Sequence, residues 1–127
     1  MISREDFESF MIRMELNHEE IGENLWIIDP DLSGRSAVVV SYSPPLIVLR
    51  SAVEPAPDTD AERLRVYSRL LEMNASELVH GSYGLEDGDI VLGDALELEN
   101  LDFSEFQASY ESISLALASH KDNLTTG

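Results

Sequence analysis

Residues 82–92, Ser82-Tyr83-Gly84-Leu85-Glu86-Asp87-Gly88-Asp89-Ile90-Val91-Leu92, place an Asp-Gly pair between two apolar runs. A two-residue hairpin turn of the type that matches strand twist needs positive φ at both central positions, which Asp-Gly supplies at low steric cost. The stretch therefore predicts two antiparallel strands. The second continues with alternation through Leu96 and Leu98, giving one buried and one partly solvated face. Downstream, Asp102 and Glu105 form a cap-like pair, and Leu101 and Phe106 fall at the two positions of a hydrophobic staple. A helix follows, with Phe103, Phe106, Tyr110, Ile113 and Leu117 at helical spacing to about His120, leaving residues 121–127 as a polar, flexible tail.

Upstream of the hairpin, Thr59 and Glu62 make a capping box that opens a helix after the proline-bearing linker Val53 to Asp58. Leu64, Tyr67, Leu70 and Leu71 give that helix an apolar stripe, Arg63, Arg65 and Arg69 make it basic, and Met73-Asn74 is its expected end. Before the linker, Leu25 to Ile28, Arg35 to Tyr42 and Leu46 to Leu49 read as three strands of a meander, separated by the turn residues Asp29 to Gly34 and by Pro44-Pro45. Ser3 and Asp6 cap a first helix whose Phe7, Phe10, Met11 and Met14 share one face, ending near Leu16. The order is αβββαββα. A five-stranded antiparallel sheet with helices, of the α+β class, is the expected architecture, as one domain over residues 1–120.

The 127 residues suffice for one core, burying roughly two-thirds of the surface of the unfolded chain. With 25 acidic residues against 8 Lys and Arg, the formal charge is −17. Between Arg69 and Lys121 there is no basic residue and there are 11 acidic ones. Such a surface repels phosphate backbones and anionic lipid, which argues against nucleic acid and membrane surfaces and favours a protein partner. The absence of cysteine rules out disulfides, thiol catalysis and thiolate metal sites. The charged opening Met1 to Phe7 does not have the build of a signal peptide, and no apolar run reaches the roughly 18 residues of a membrane span, so a cytoplasmic location is expected.

The succession Leu70-Leu71-Glu72-Met73-Asn74, His80-Gly81-Ser82-Tyr83-Gly84-Leu85, Asp89-Ile90-Val91-Leu92 and Leu98-Glu99-Asn100-Leu101-Asp102 resembles the type III secretion chaperone superfamily, which includes the Tir-chaperone (CesT) and YbjN-like families. The similarity spans the whole order of elements and is sharpest over residues 64–117. It implies a homodimer of αβββαββα subunits that, in the chaperone branch, holds an extended segment of a secreted effector, and in the YbjN-like branch acts as a regulatory or sensory adaptor on a signalling protein. It carries no catalytic residue onto this chain.

The residues by themselves offer little chemistry. Asp29, Asp31, Ser33 and Gly34 match the opening of a calcium-binding EF-hand loop, but Val40 stands where its bidentate Glu belongs and the flanks read as strands. Glu86, Asp87 and Asp89 are better read as a solvated turn than as a metal or acid/base cluster. His18, His80 and His120 have no mutual ligand spacing and are expected to be exposed or helix-terminal, His120 favouring the negative end of its helix. No nucleophile elbow or phosphate loop is present. No catalytic residue, cofactor or metal is expected, with a small metal-dependent enzyme as the remote alternative. The meander is apolar at successive positions, so both its faces are apolar, and one must be covered by the chain's own helices, a dimer partner or a bound peptide. Val38, Val40, Ile47 and Leu49 are the expected contact residues.

Overall fold

The computed structural model describes residues 1–29 and 37–125, except for the side chains after His120. Helix α1 (Arg4–Arg13) is followed by strands β1 (His18–Gly22), β2 (Leu25–Ile28), β3 (Val38–Ser43) and β4 (Leu46–Pro55), helix α2 (Asp60–Ser76), strands β5 (Ser82–Glu86) and β6 (Asp89–Glu97), and helix α3 (Phe103–Thr125). The strands form one antiparallel sheet in the order β1-β2-β3-β4-β6-β5.

The local signals act as their chemistry demands. Ser3 accepts from the Asp6 amide at 3.1 Å while the Asp6 carboxylate reaches back to the Ser3 N–H, a complete capping box. The Glu62 amide donates to the Thr59 hydroxyl at 3.2 Å, and the Glu105 amide to Asp102 at 2.8 Å. Leu101 and Phe106 are both buried, as a staple requires. Asp87 and Gly88 take φ of 52° and 80°, so the hairpin between β5 and β6 is built on two left-handed residues.

Four elements differ from expectation. The sheet has six strands because His18–Gly22, polar enough to read as a connection, pairs with β2 as an edge. Its charged residues and its register shift between Glu20 and Gly22 are what protects an edge from further pairing. Strand β4 runs on through the expected linker to Pro55, because the nine residues of β6 offer it partners as far as Asp89. Helix α2 passes Met73-Asn74 to Ser76, and α3 passes His120 to Thr125, since neither stretch holds a Gly or Pro to stop it. The expected turn over Asp29–Gly34 and the start of the strand at Arg35 lie mostly outside the described residues.

All three helices lie on one face of the sheet. The core joins Phe7 and Met11 of α1, Val66, Leu70 and Met73 of α2, and Phe106, Tyr110 and Ile113 of α3 to Trp26, Ile28, Val38, Val40, Ile47, Leu49, Ile90 and Leu92 of the strands. Phe7 is the hinge of this packing, with its ring 5.7 Å from Trp26 and 4.9 Å from Phe106.

Candidate functional site

The four expected contact residues fall on the covered face. Val38, Val40, Ile47 and Leu49 are 3%, 0%, 0% and 0% exposed, packed under the helices, so in the folded monomer they are inaccessible. The reason is parity. Val40 stands opposite Trp26 and Val38 opposite Ile28, and the side that carries the largest aromatic goes to the helices. The sequence did hold the signal that separates the two faces. Ser41 and Ser43 share the parity of Val39, and Arg50 shares that of Leu46 and Val48, and a parity bearing Ser and Arg is the one facing solvent.

The opposite face therefore holds Leu25 and Ile27 of β2, Val39 of β3, Leu46, Val48 and Ala52 of β4, and Val91 of β6, none of which belongs to the core cluster. The pairings Ile27 with Val39, and Ser41 with Val48, set these side chains in adjacent rows. No helix of the described residues covers them. The patch runs into a shallow groove toward β5, lined by Leu46, Val48, Arg50, Gly84, Val91 and Gly93 among others. Gly93 shapes its floor. A Cβ there would stand 2.7 Å from the Leu49 carbonyl oxygen, so only glycine fits this close approach of β6 to β4, and Arg50 passes beside it to its salt bridge with Glu86 on β5.

A second apolar surface lies on α2. Of the expected stripe only Leu70 is buried, beside Val66 and Met73, while Leu64 and Leu71 are 72% and 68% exposed, with Tyr67 between them half-buried. Leu71, Tyr67 and Leu85 line a cleft between α2 and β5 that ends at Asn74. Arg63 and Arg65 border this surface, held by Asp60 and Glu62.

One buried polar cluster exists near the end of α3. His120, expected to be exposed or to end its helix, is 4% exposed, and its Nδ1 lies 3.0 Å from the Tyr83 hydroxyl. Burial, and after it the carboxylates of Glu54 and Glu77, push the Tyr83 phenol up to about 12. The hydroxyl therefore keeps its proton and shares a hydrogen bond with Nδ1, while Nε2 lies 3.4 Å from a Glu54 carboxylate oxygen. A phenol raised in the folded state is un-ionised in both states at neutral pH, and ionises first in the unfolded chain as pH passes about 10. Stability should accordingly fall between about pH 10 and pH 12, and the fall should be smaller in Tyr83→Phe, as read from urea midpoints across that range.

Asp29 and the carboxylates of the 86–89 turn are not drawn together, and Asp31, Ser33 and Gly34 lie outside the described residues. Among the described residues no group of three or more His, Asp or Glu side chains is placed to hold a metal ion. No described helix is long and apolar enough to cross a membrane.

Three helices on an antiparallel sheet is the α+β architecture of the type III secretion chaperones, with six strands here where five were expected. The CesT_Tir_1 family model matches residues 3–126, and the chain belongs to that family. This bears out the resemblance read from residues 70–102. Among solved structures, YbjN from E. coli is similar at a TM-score of 0.66 and 14% identity, over 95% of this chain and 93% of YbjN. The heterodimeric complex ExoU-SpcU from the type III secretion system of Pseudomonas aeruginosa contains a chain similar at 0.69 and 15% identity, over 94% and 98% of the two chains. The HopA1-SchA chaperone-effector complex contains one at 0.61 and 14% identity, over 87% and 86%. No curated protein matches the sequence.

Proposed function

We propose that residues 1–120 form a non-enzymatic, homodimeric protein-binding domain of the chaperone branch, which holds an extended segment of a partner protein on the open face of its sheet. The observation that carries this reading is the uncovered apolar surface of Leu25, Ile27, Val39, Leu46 and Val48, because a contiguous apolar patch on a soluble domain is a contact surface. Its shape suits an extended segment: rows of half-buried side chains with no deep cavity, rimmed by the Arg50–Glu86 pair. The solved relatives support the reading by their contents, one a chaperone-effector complex and one a heterodimer from a type III secretion system. The charge of −17 favours a segment with basic flanks and keeps the loaded complex in solution.

For a second copy of the chain, α2 is the surface that fits. Two copies of a chain this acidic repel one another, and the repulsion is least where Arg63 and Arg65 stand beside the exposed Leu64, Tyr67 and Leu71. Partner and second copy then occupy different surfaces.

The test is capture of partner proteins on immobilised wild type, Val39→Asp/Val48→Asp and Leu71→Glu, with limited proteolysis of what is retained. A bound protein whose retained segment is cut readily on release, and which Val39→Asp/Val48→Asp loses by a factor of roughly 30 or more, supports the reading. Equal retention by Val39→Asp/Val48→Asp would exclude the open face. The extent of the match to YbjN favours, as the second reading, a regulatory adaptor; it predicts that the retained protein is folded and resists the protease.

A further inference from the structure

Residues 77–81, between α2 and β5, form no regular element, yet hydrogen bonds fix them on both sides. The Glu77 and Leu78 amides donate to the Met73 carbonyl at 2.9 and 3.1 Å. On the α3 side, the His80 amide donates to the Ser112 hydroxyl and that hydroxyl donates to the His80 carbonyl, each at 3.2 Å. Gly81 follows with φ of 85°, so close to the Gly93 carbonyl oxygen that a Cβ would stand 2.9 Å away. The connection is thereby held in place without burying all its own side chains. Val79 is left 84% exposed, more than any other large apolar side chain described.

Leu115, one turn beyond Ser112 on α3, is 72% exposed. The two line one groove of about 220 Å³, together with Met73, Leu78, Ala116 and Glu77 among others. This groove is separate from both surfaces described above. Met73 belongs to the buried side of α2, away from Leu64 and Leu71, and the groove lies on the helix side of the sheet. Its surroundings are of one sign. Glu111 stands one turn before Leu115, Glu77 lines the wall, and no Lys or Arg occurs between Arg69 and Lys121. Arg69 itself lies between Glu72 and Glu77, a triad that stays net negative. The same groove on a second copy is therefore repelled, and a cationic partner is attracted.

We infer that this groove takes a cationic amphipathic helix of a partner protein. One large aliphatic side chain enters between Val79 and Leu115, and Lys or Arg residues a turn away on either side meet Glu77 and Glu111. A helix suits the spacing because its positions three and four residues from the anchor lie about 5–6 Å from it, the same separation that sets Glu111 beside Leu115. The contact differs from the extended segment on the open face and stands if that reading fails.

The probe is a synthetic amphipathic peptide of roughly 14 residues, built of Leu on one helical face and Lys on the other. Its control has the same composition in scrambled order, with the same charge and no apolar face. Both are titrated into wild type, Val79→Ser/Leu115→Ser and Val39→Ser/Val48→Ser, with amide chemical shifts followed by NMR and mass by sedimentation. The ordered peptide should bind wild type at least about tenfold more tightly than the scrambled one, and Val79→Ser/Leu115→Ser should remove that difference. The shifts should centre on Val79 and Leu115. Both side chains are exposed, so the variant keeps its fold. Equal binding of the two peptides overturns the inference, since charge alone would then explain it. A loss that falls on Val39→Ser/Val48→Ser instead also overturns it, while leaving the open face as a contact surface. So does a self-associated species that Val79→Ser/Leu115→Ser abolishes, which would give the groove to a second copy.

Discussion

Phe106→Ala is expected to lower the unfolding free energy by about 3–5 kcal/mol, a large share of the roughly 5–15 kcal/mol that holds a domain of this kind together. The ring is fully buried at the first turns of α3, with the rings of Phe7 at 4.9 Å, Phe10 at 6.4 Å and Tyr110 at 6.4 Å. Phe7 in turn touches Trp26, so Phe106 is joined to β2 through Phe7. Truncation leaves a cavity walled by large aromatics of α1 and α3, which cannot collapse without moving a helix. The urea midpoint should fall while the dependence on urea stays constant, because a cavity does not change the surface exposed on unfolding. Phe103, half-buried three residues earlier, is the control. It packs at the rim, 3.8 Å beneath the Arg13 guanidinium, and Phe103→Ala should cost only about 1 kcal/mol. Equal losses at the two positions would mean that the aromatic cluster is not the joint between the helix layer and the sheet.

The caps and the hairpin turn were legible in the sequence because each depends on residues close together. Ser3 with Asp6, Thr59 with Glu62, and Asp102 with Glu105 are four-residue devices, and Asp87-Gly88 fixes its turn by the φ values it permits. What failed were properties set by partners distant in the chain. β1 is a strand because Leu25–Ile28 stands beside it, and nothing within His18–Gly22 demands that. β4 reaches Pro55 because β6 is long enough to pair with it. The assignment of faces failed for a subtler reason. Runs such as Ala37-Val38-Val39-Val40 are apolar at both parities, and hydrophobicity alone cannot orient them; the polar residues Ser41, Ser43 and Arg50 at the strand ends could have. Helix α2 misled in the same way: the expected stripe Leu64, Tyr67, Leu70 and Leu71 straddles two faces, and the face that holds Leu70 with Val66 and Met73 is the one the core took. In both elements an apolar set beyond the needs of the core was left facing outward. A chain that only had to fold would gain nothing from the surplus, so the two misread elements are also the two proposed contact surfaces.

The second of these surfaces yields a prediction as large as the first. Leu64→Glu/Leu71→Glu should convert the proposed dimer into a 14.1 kDa monomer, weakening association by roughly a hundredfold or more, while the melting temperature at low concentration stays close to that of the wild-type monomer. Both side chains are over two-thirds exposed, so the folded monomer loses little by the change. The dimer loses four apolar contacts across its two-fold axis and gains four carboxylates in an assembly that already carries −17 per chain. Salt separates this arrangement from one held by ion pairs. Repulsion between two acidic bodies acts over distances that about 0.1 M salt screens, so the wild-type dimer should tighten as salt rises. An interface held mainly by Arg63 and Arg65 on the carboxylates of the other copy would loosen instead. If the double variant still sediments as a dimer, α2 is not the interface. Val39→Asp/Val48→Asp then decides between the remaining surfaces: a monomer there would assign the open face of the sheet to the second copy and leave α2 for the partner protein.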